Sequence, residues 1–183
     1  RLKRIVDDVM AVAPGTLPTM RVIDATAEVA ASSGEWARTA QLQGNSRLRV
    51  DLPASPLGVI FDPEHLRRVL VNLLDNAHRH APDAPGAIHL ALTSDGGEVL
   101  LTVASQGDPI PPDVERYLFE PFFSTRSRGT GLGLYICREL CARYGARIDY
   151  RLRPAGEPNR NEFRVAMRRA ALHVPDSHLH LAS

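Results

Sequence analysis

Asn72, Asn76 and Arg79 fall at spacings of four and three residues within the stretch 62–82, DPEHLRRVLVNLLDNAHRHAP. On a helix, such spacings bring the two amides and the guanidinium to one side. Polar groups on an otherwise apolar helix are costly to bury without partners. A hydrated magnesium ion and a phosphate chain would supply them, because Mg²⁺ takes hard oxygen ligands and keeps several waters. Two structural amides bonded to neighbouring backbone would also account for the pair. Further along, the stretch 118–134, LFEPFFSTRSRGTGLGL, sets Gly129, Gly131 and Gly133 directly before an apolar-periodic segment. Glycines let backbone approach a ligand closely. The N–H groups at a helix start then attract an anion, aided by the helix dipole. Arg126 and Arg128 lie just upstream to meet such an anion. A nucleotide phosphate fits this chemistry; a plain loop before a helix is the blander reading. The run is not a phosphate loop of the Gly-Lys-Ser/Thr kind. Nor does it follow a strand, as a dinucleotide fingerprint requires.

Cys137 and Cys141 share one face of the helix expected from Gly131 to Tyr144, and read as small core residues. Their low number suits a reducing compartment. Of the tail histidines His173, His178 and His180, the last two could hold a metal only weakly. A net charge of +1 gives no reason to expect nucleic acid as a partner, and 44% apolar residues can fill a real core. No apolar run approaches the ~20 residues that span a bilayer.

The elements that must position these groups follow from periodicity. Residues 1–13 place Leu2, Ile5, Val6, Val9 and Met10 on one helical face, and residues 14–20 read as a linker. A helix capped by Asp24 is expected from Ala25 to Gln41, and strands over 47–52 and 58–61. Asp62-Pro63 starts a helix that runs to His80. Strands over 87–93 and 98–104 form a hairpin around Asp95, Gly96 and Gly97. The irregular segment from Ser105 to Thr130 is long enough to be a lid. A helix ending at Gly145 and strands over 147–152 and 162–167 complete the order, and 170–183 reads as a frayed tail. The expected class is α+β, a two-layer α/β sandwich with helices on one face of a mixed, mainly antiparallel sheet.

NLLDNA, FEPFF and GTGLGL, in this order, resemble the ATP-binding catalytic domain of two-component sensor histidine kinases, in the superfamily of gyrase, the heat-shock 90 chaperones and MutL. The resemblance covers about residues 62–168 and implies a Bergerat-type ATP-binding fold over residues 21–169. It makes Asn76 the magnesium-binding asparagine and Asn72 a second amide on the metal–phosphate side. Arg79 takes a phosphate-contacting place and His80 one often filled by an aromatic against adenine. Phe119, Phe122 and Phe123 match the phenylalanine box at the lid base. Gly129, Gly131 and Gly133 match the second glycine box, with Thr130, Leu132 and Leu134 alongside them.

The first glycine box, usually Asp-x-Gly-x-Gly, here runs Ser105-Gln106-Gly107-Asp108-Pro109-Ile110. Ser105 stands in the adenine-binding Asp position and Pro109 in that of the second glycine. A hydroxyl still accepts from an amine, without the charge-assisted strength. Superfamily ATPases carry a glutamate base where this chain has Asn72, and an amide takes no proton. The resemblance therefore implies transfer of the ATP γ-phosphate to a histidine on a dimerisation hairpin, and thence to a response regulator. None of His65, His78, His80 and His89 has the acceptor context. Residues 1–13 resemble the end of the second hairpin helix, so the chain is expected to be a cytoplasmic piece of a longer homodimeric protein. That protein would be anchored in the bacterial inner membrane, without membrane contact by this piece. GTGLGLYICRELCARYGARIDY is nearest to kinases of type IV pilus control, then to nitrogen regulation. A nucleotide-binding scaffold without kinase activity and an anti-sigma serine kinase are the alternatives.

Overall fold

The computed structural model describes residues 20–42, 44–123 and 131–173, together with Lys3, Val6, Asp7 and Met10. Those four are helical and exposed, Val6 and Met10 among them. The linker at 14–19, the lid residues 124–130 and the tail from 174 onward, with His178 and His180, lie outside the described residues.

β1 (Val22–Asp24) leads into α1 (Ala25–Thr39). The Asp24 carboxylate accepts from the Ala27 N–H at 3.2 Å, satisfying one of the orphan donors of the helix start. α1 stops two residues short of the expected Gln41, which takes a left-handed φ of 58°. β1 itself has no expectation behind it: three residues are too few for a periodicity to show. β2 (Leu48–Asp51) and β3 (Gly58–Ile60) follow.

α2 (Pro63–His80) begins where Asp62 accepts from Glu64 N at 2.9 Å and His65 N at 3.3 Å, with proline at the first position. It buries Leu66, Val69, Leu70, Leu73, Leu74 and Ala77. Its end is held by a residue outside it. Arg47, 7% exposed, donates to the carbonyls of His78 at 3.0 Å, Ala81 at 2.6 Å and Pro82 at 3.1 Å. A guanidinium thus meets the carbonyls that the helix leaves unpaired at its negative end.

β4 (Ile88–Asp95) and β5 (Glu98–Ser105) form the expected hairpin, and the short α3 (Pro112–Glu115) interrupts the lid segment. α4 (Gly133–Arg143) starts two residues later than expected. It ends in a Schellman turn: Gly145 has φ 65°, Gly145 N donates to Ala142 O and Ala146 N to Cys141 O. β6 (Arg147–Leu152) and β7 (Asn161–Arg168) close the chain order.

The main sheet runs β2-β4-β5-β7-β6, with β2 parallel to β4 and the other pairs antiparallel. This is the mixed, mainly antiparallel sheet of the expected α+β sandwich. Inward residues of alternating period (Leu90, Leu101, Val103, Phe163, Val165, Met167) meet α2 and α4 in one core. The other face carries ion pairs, including Glu162, only 2% exposed, between Arg151 and Arg153. β1 and β3 form a separate antiparallel pair, tied to the end of β7 through Ala170 N donating to Gly58 O. The tail therefore stays attached at Ala170 rather than fraying there. Among the described residues no helix is long and apolar enough to cross a membrane.

Cys137 and Cys141 face the core, as expected. Burial pushes the Cys137 thiol far above its usual range and the Cys141 thiol up to about 12. Neither should react with an aromatic disulfide reagent in the folded protein, and both should react once it is unfolded in guanidinium. Fast labelling of the native chain would contradict this packing.

Candidate functional site

One flank of α2 packs on α1, where Trp36 Nε1 donates to Asp75 at 2.8 Å. Asn72 reaches α4 instead, and Asn76, four residues on, shares its side of the helix. Asn72 and Asn76 are half-buried, while Arg79 and His80 are exposed at the helix end. Asn72 Nδ2 donates to Gly133 O at 3.3 Å, so this amide ties α2 to the first residue of α4. That bond to backbone is the structural reading of the amide, and it sets Asn72 beside a helix start. Among the described residues that start has no side-chain cap. Its N–H groups and the positive end of the helix dipole form an anion-attracting face next to the amides.

The lid base is anchored by packing. Phe119 meets Phe163 of β7 edge to face, with centroids 6.2 Å apart, and Phe123 meets Tyr117 at 5.7 Å. Phe122 is exposed, with a left-handed φ of 63°. Gly131, at φ 71°, sits against this turn: a Cβ there would lie 2.5 Å from the Phe122 carbonyl carbon. Only glycine fits, both for the conformation and for the contact. Leu132 is buried, and Leu134 packs against the core. Arg126, Gly129 and Thr130 lie outside the described residues. A Gly131→Ala variant is expected to lose roughly 2 kcal/mol or more of this local closure. Trypsin should then cut after Arg126 or Arg128 faster than in the parent, with the global unfolding midpoint little moved. Unchanged cleavage would show that the contact does not hold the loop ends together.

The far wall is the segment that leaves β5. Ser105 is buried at the last position of that strand, opposite Ile88 and Asn161. Gly107 has φ 135°, and a Cβ on it would lie 3.0 Å from the His80 carbonyl. This close approach sets the segment against the end of α2. Ile110 is half-buried, and its N–H donates to the Tyr150 hydroxyl at 3.3 Å. Tyr150 OH donates to Asn161 Oδ1 at 2.7 Å. Asn161 Nδ2 donates in turn to Gly107 O at 3.3 Å and Asp108 O at 3.2 Å. Burial raises the Tyr150 phenol above its ordinary value, partly offset by the Ile110 N–H, so it remains a donor at neutral pH.

The structure brings Asn72 to Gly133, Gly131 to the turn at Phe122 and Phe123, and Gly107 to the His80 carbonyl, so that α2, the start of α4, the lid base and the β5 exit adjoin. Arg79 and His80 are exposed at the end of α2. Tyr150 and Asn161 were missed from the sequence. Their signal was available: Asn161 is a polar residue at an inward strand position, in line with Phe163, Val165 and Met167.

Residues 61–170 match the family described as histidine kinase-, DNA gyrase B- and HSP90-like ATPase. Sensor protein kinase PilS of Pseudomonas aeruginosa is 42% identical over 120 residues, 63% of this chain and 23% of that protein. The chain thus spans about a quarter of that relative's length. The structure of a mycobacterial sensor histidine kinase, MprB, superposes with a TM-score of 0.69 at 27% identity, covering 84% of this chain and all of that one. Full-length ShkA in complex with AMPPNP shares the fold at a TM-score of 0.72 and 24% identity, over 93% of this chain and 37% of its own. The chain belongs to the histidine kinase-, DNA gyrase B- and HSP90-like ATPase family, and within it is an ATP-binding catalytic domain of the sensor histidine kinase type.

Proposed function

We propose that this domain holds Mg²⁺-ATP between α2, the lid segment and the start of α4, and presents the γ-phosphate to a histidine on a dimerisation hairpin. The observation that carries the reading is half-buried Asn72 bonded at 3.3 Å to the first residue of α4, with half-buried Asn76 one turn further along the same side of α2. Asn76 supplies a hard oxygen to the magnesium ion, with Asn72 beside it and waters completing the shell. Backbone N–H groups from Gly131 to Leu134 meet phosphate oxygens, with Arg79 and the lid residues Arg126, Gly129 and Thr130 adding charge and contact. His80, Ser105, Gly107 and Ile110 border the base, and Phe119 and Phe123 anchor the lid beneath it.

No carboxylate stands in the Asn72 position, so water is not activated there and hydrolysis is slow. Catalysis consists of positioning and charge neutralisation, with the nucleophile brought by the partner histidine. The phosphoryl group then passes to an aspartate of a response regulator, of the enhancer-binding kind on the resemblance of the 129–150 stretch. The full protein acts as a homodimer held at the inner membrane by parts other than this domain.

The test is a transfer assay: this chain, γ-labelled ATP, and a dimeric helical hairpin carrying the acceptor histidine from a pilus-type kinase. Label that appears on the hairpin, labile to acid and stable to alkali, is the expected result. ATP binding without any labelled hairpin, when the hairpin accepts label from its own kinase domain, would contradict the proposal.

A further inference from the structure

In the segment that leaves β5, Pro109 brings no N–H and holds Asp108 to extended backbone. The segment is held from the sheet instead. Asn161 is 7% exposed, so its amide must be satisfied within the protein. Its side-chain hydrogen bonds serve one purpose. Nδ2 takes the Gly107 and Asp108 carbonyls, and Oδ1 takes the Tyr150 hydroxyl, which in turn receives the Ile110 N–H. The Tyr150 ring is itself braced by Phe163, with centroids 5.3 Å apart. Three backbone groups in four residues are thus clasped by two neutral side chains of β6 and β7.

On the reading of the site given above, this segment borders the nucleotide base. Ser105 alone cannot choose a base there. A hydroxyl donates as well as accepts, so it suits the amino group of adenine and the carbonyl of guanine alike. On that reading the discrimination comes from the Gly107 and Asp108 carbonyls, which keep a second lone pair while Asn161 and Tyr150 hold the segment in position. We propose that Tyr150 and Asn161 are the positioning pair that sets the adenine selectivity of this site, in place of the acidic residue and the second glycine that the segment lacks.

The test uses the 183-residue chain. ATP and GTP affinities are measured for the parent, for Tyr150→Phe, which keeps the ring packing, and for Asn161→Leu. Hydrogen exchange at the Ile110 amide is followed alongside. The parent should prefer ATP. Tyr150→Phe should weaken ATP about tenfold and GTP little, so that the preference collapses while Ile110 exchanges faster. Asn161→Leu should act in the same direction. ATP and GTP weakened by the same factor, or a preference unchanged despite faster Ile110 exchange, would make the pair merely structural and overturn the proposal. A parent that binds both nucleotides equally overturns it too. A parent that binds neither removes the reading on which it rests.

Discussion

Asn76→Ala is expected to weaken ATP binding by roughly 10–100-fold in the presence of Mg²⁺ and to change it little without the metal. The range follows from a hydrogen bond or ligand contact to a charged group, worth about 1.5–3 kcal/mol. Asn76 is half-buried on the side of α2 that carries Asn72, so its loss opens no large core cavity. Unfolding stability should therefore stay near the parent value, which separates a binding defect from a folding one. An equal loss with and without metal would place Asn76 on the phosphate or the base rather than on magnesium.

Arg47→Ala is expected to cost about 3 kcal/mol of folding stability or more, a fall of roughly 6–12 °C in Tm. The guanidinium closes the end of α2 through three carbonyls and also meets His78 Nδ1 at 2.6 Å. Since Arg47 only donates, that ring nitrogen accepts. Removing the side chain leaves several buried acceptors unsatisfied at the negative end of the helix. Arg47→Lys should recover little, because an ammonium is a point charge and cannot fork across several carbonyls. The same helix end carries the His80 carbonyl against Gly107. ATP affinity should therefore fall along with stability in Arg47→Ala. A urea midpoint unchanged from the parent would show that solvent replaces the lost contacts.

The candidate site and the fold are legible where a pattern repeats along one element. Asn72, Asn76 and the apolar face of α2 share a single helical period, and Asp62-Pro63 and Gly145 mark helix boundaries through their own backbone preferences. The hairpin of β4 and β5 shows in its alternation and in the turn at Gly96. What stayed hidden depends on residues far apart in the chain. Arg47 reads as one more charged residue of a short strand until the fold brings it to the end of α2. The clasp of Tyr150 and Asn161 on residues 107–110 spans three segments, and no local pattern joins them. β1 exists because β3 pairs with it, a condition that three residues cannot announce alone. The inward asparagine in β7 is the exception, since a polar residue at an apolar strand position asks for a partner.

The central claim is that this domain binds ATP through a magnesium-dependent site between α2 and α4. Calorimetric titration of the 183-residue chain with ATP, with and without Mg²⁺, tests it most directly. Saturable binding in the micromolar range that tightens with the metal is the predicted result. No heat of binding and no rise in Tm up to millimolar Mg²⁺-ATP would contradict the account.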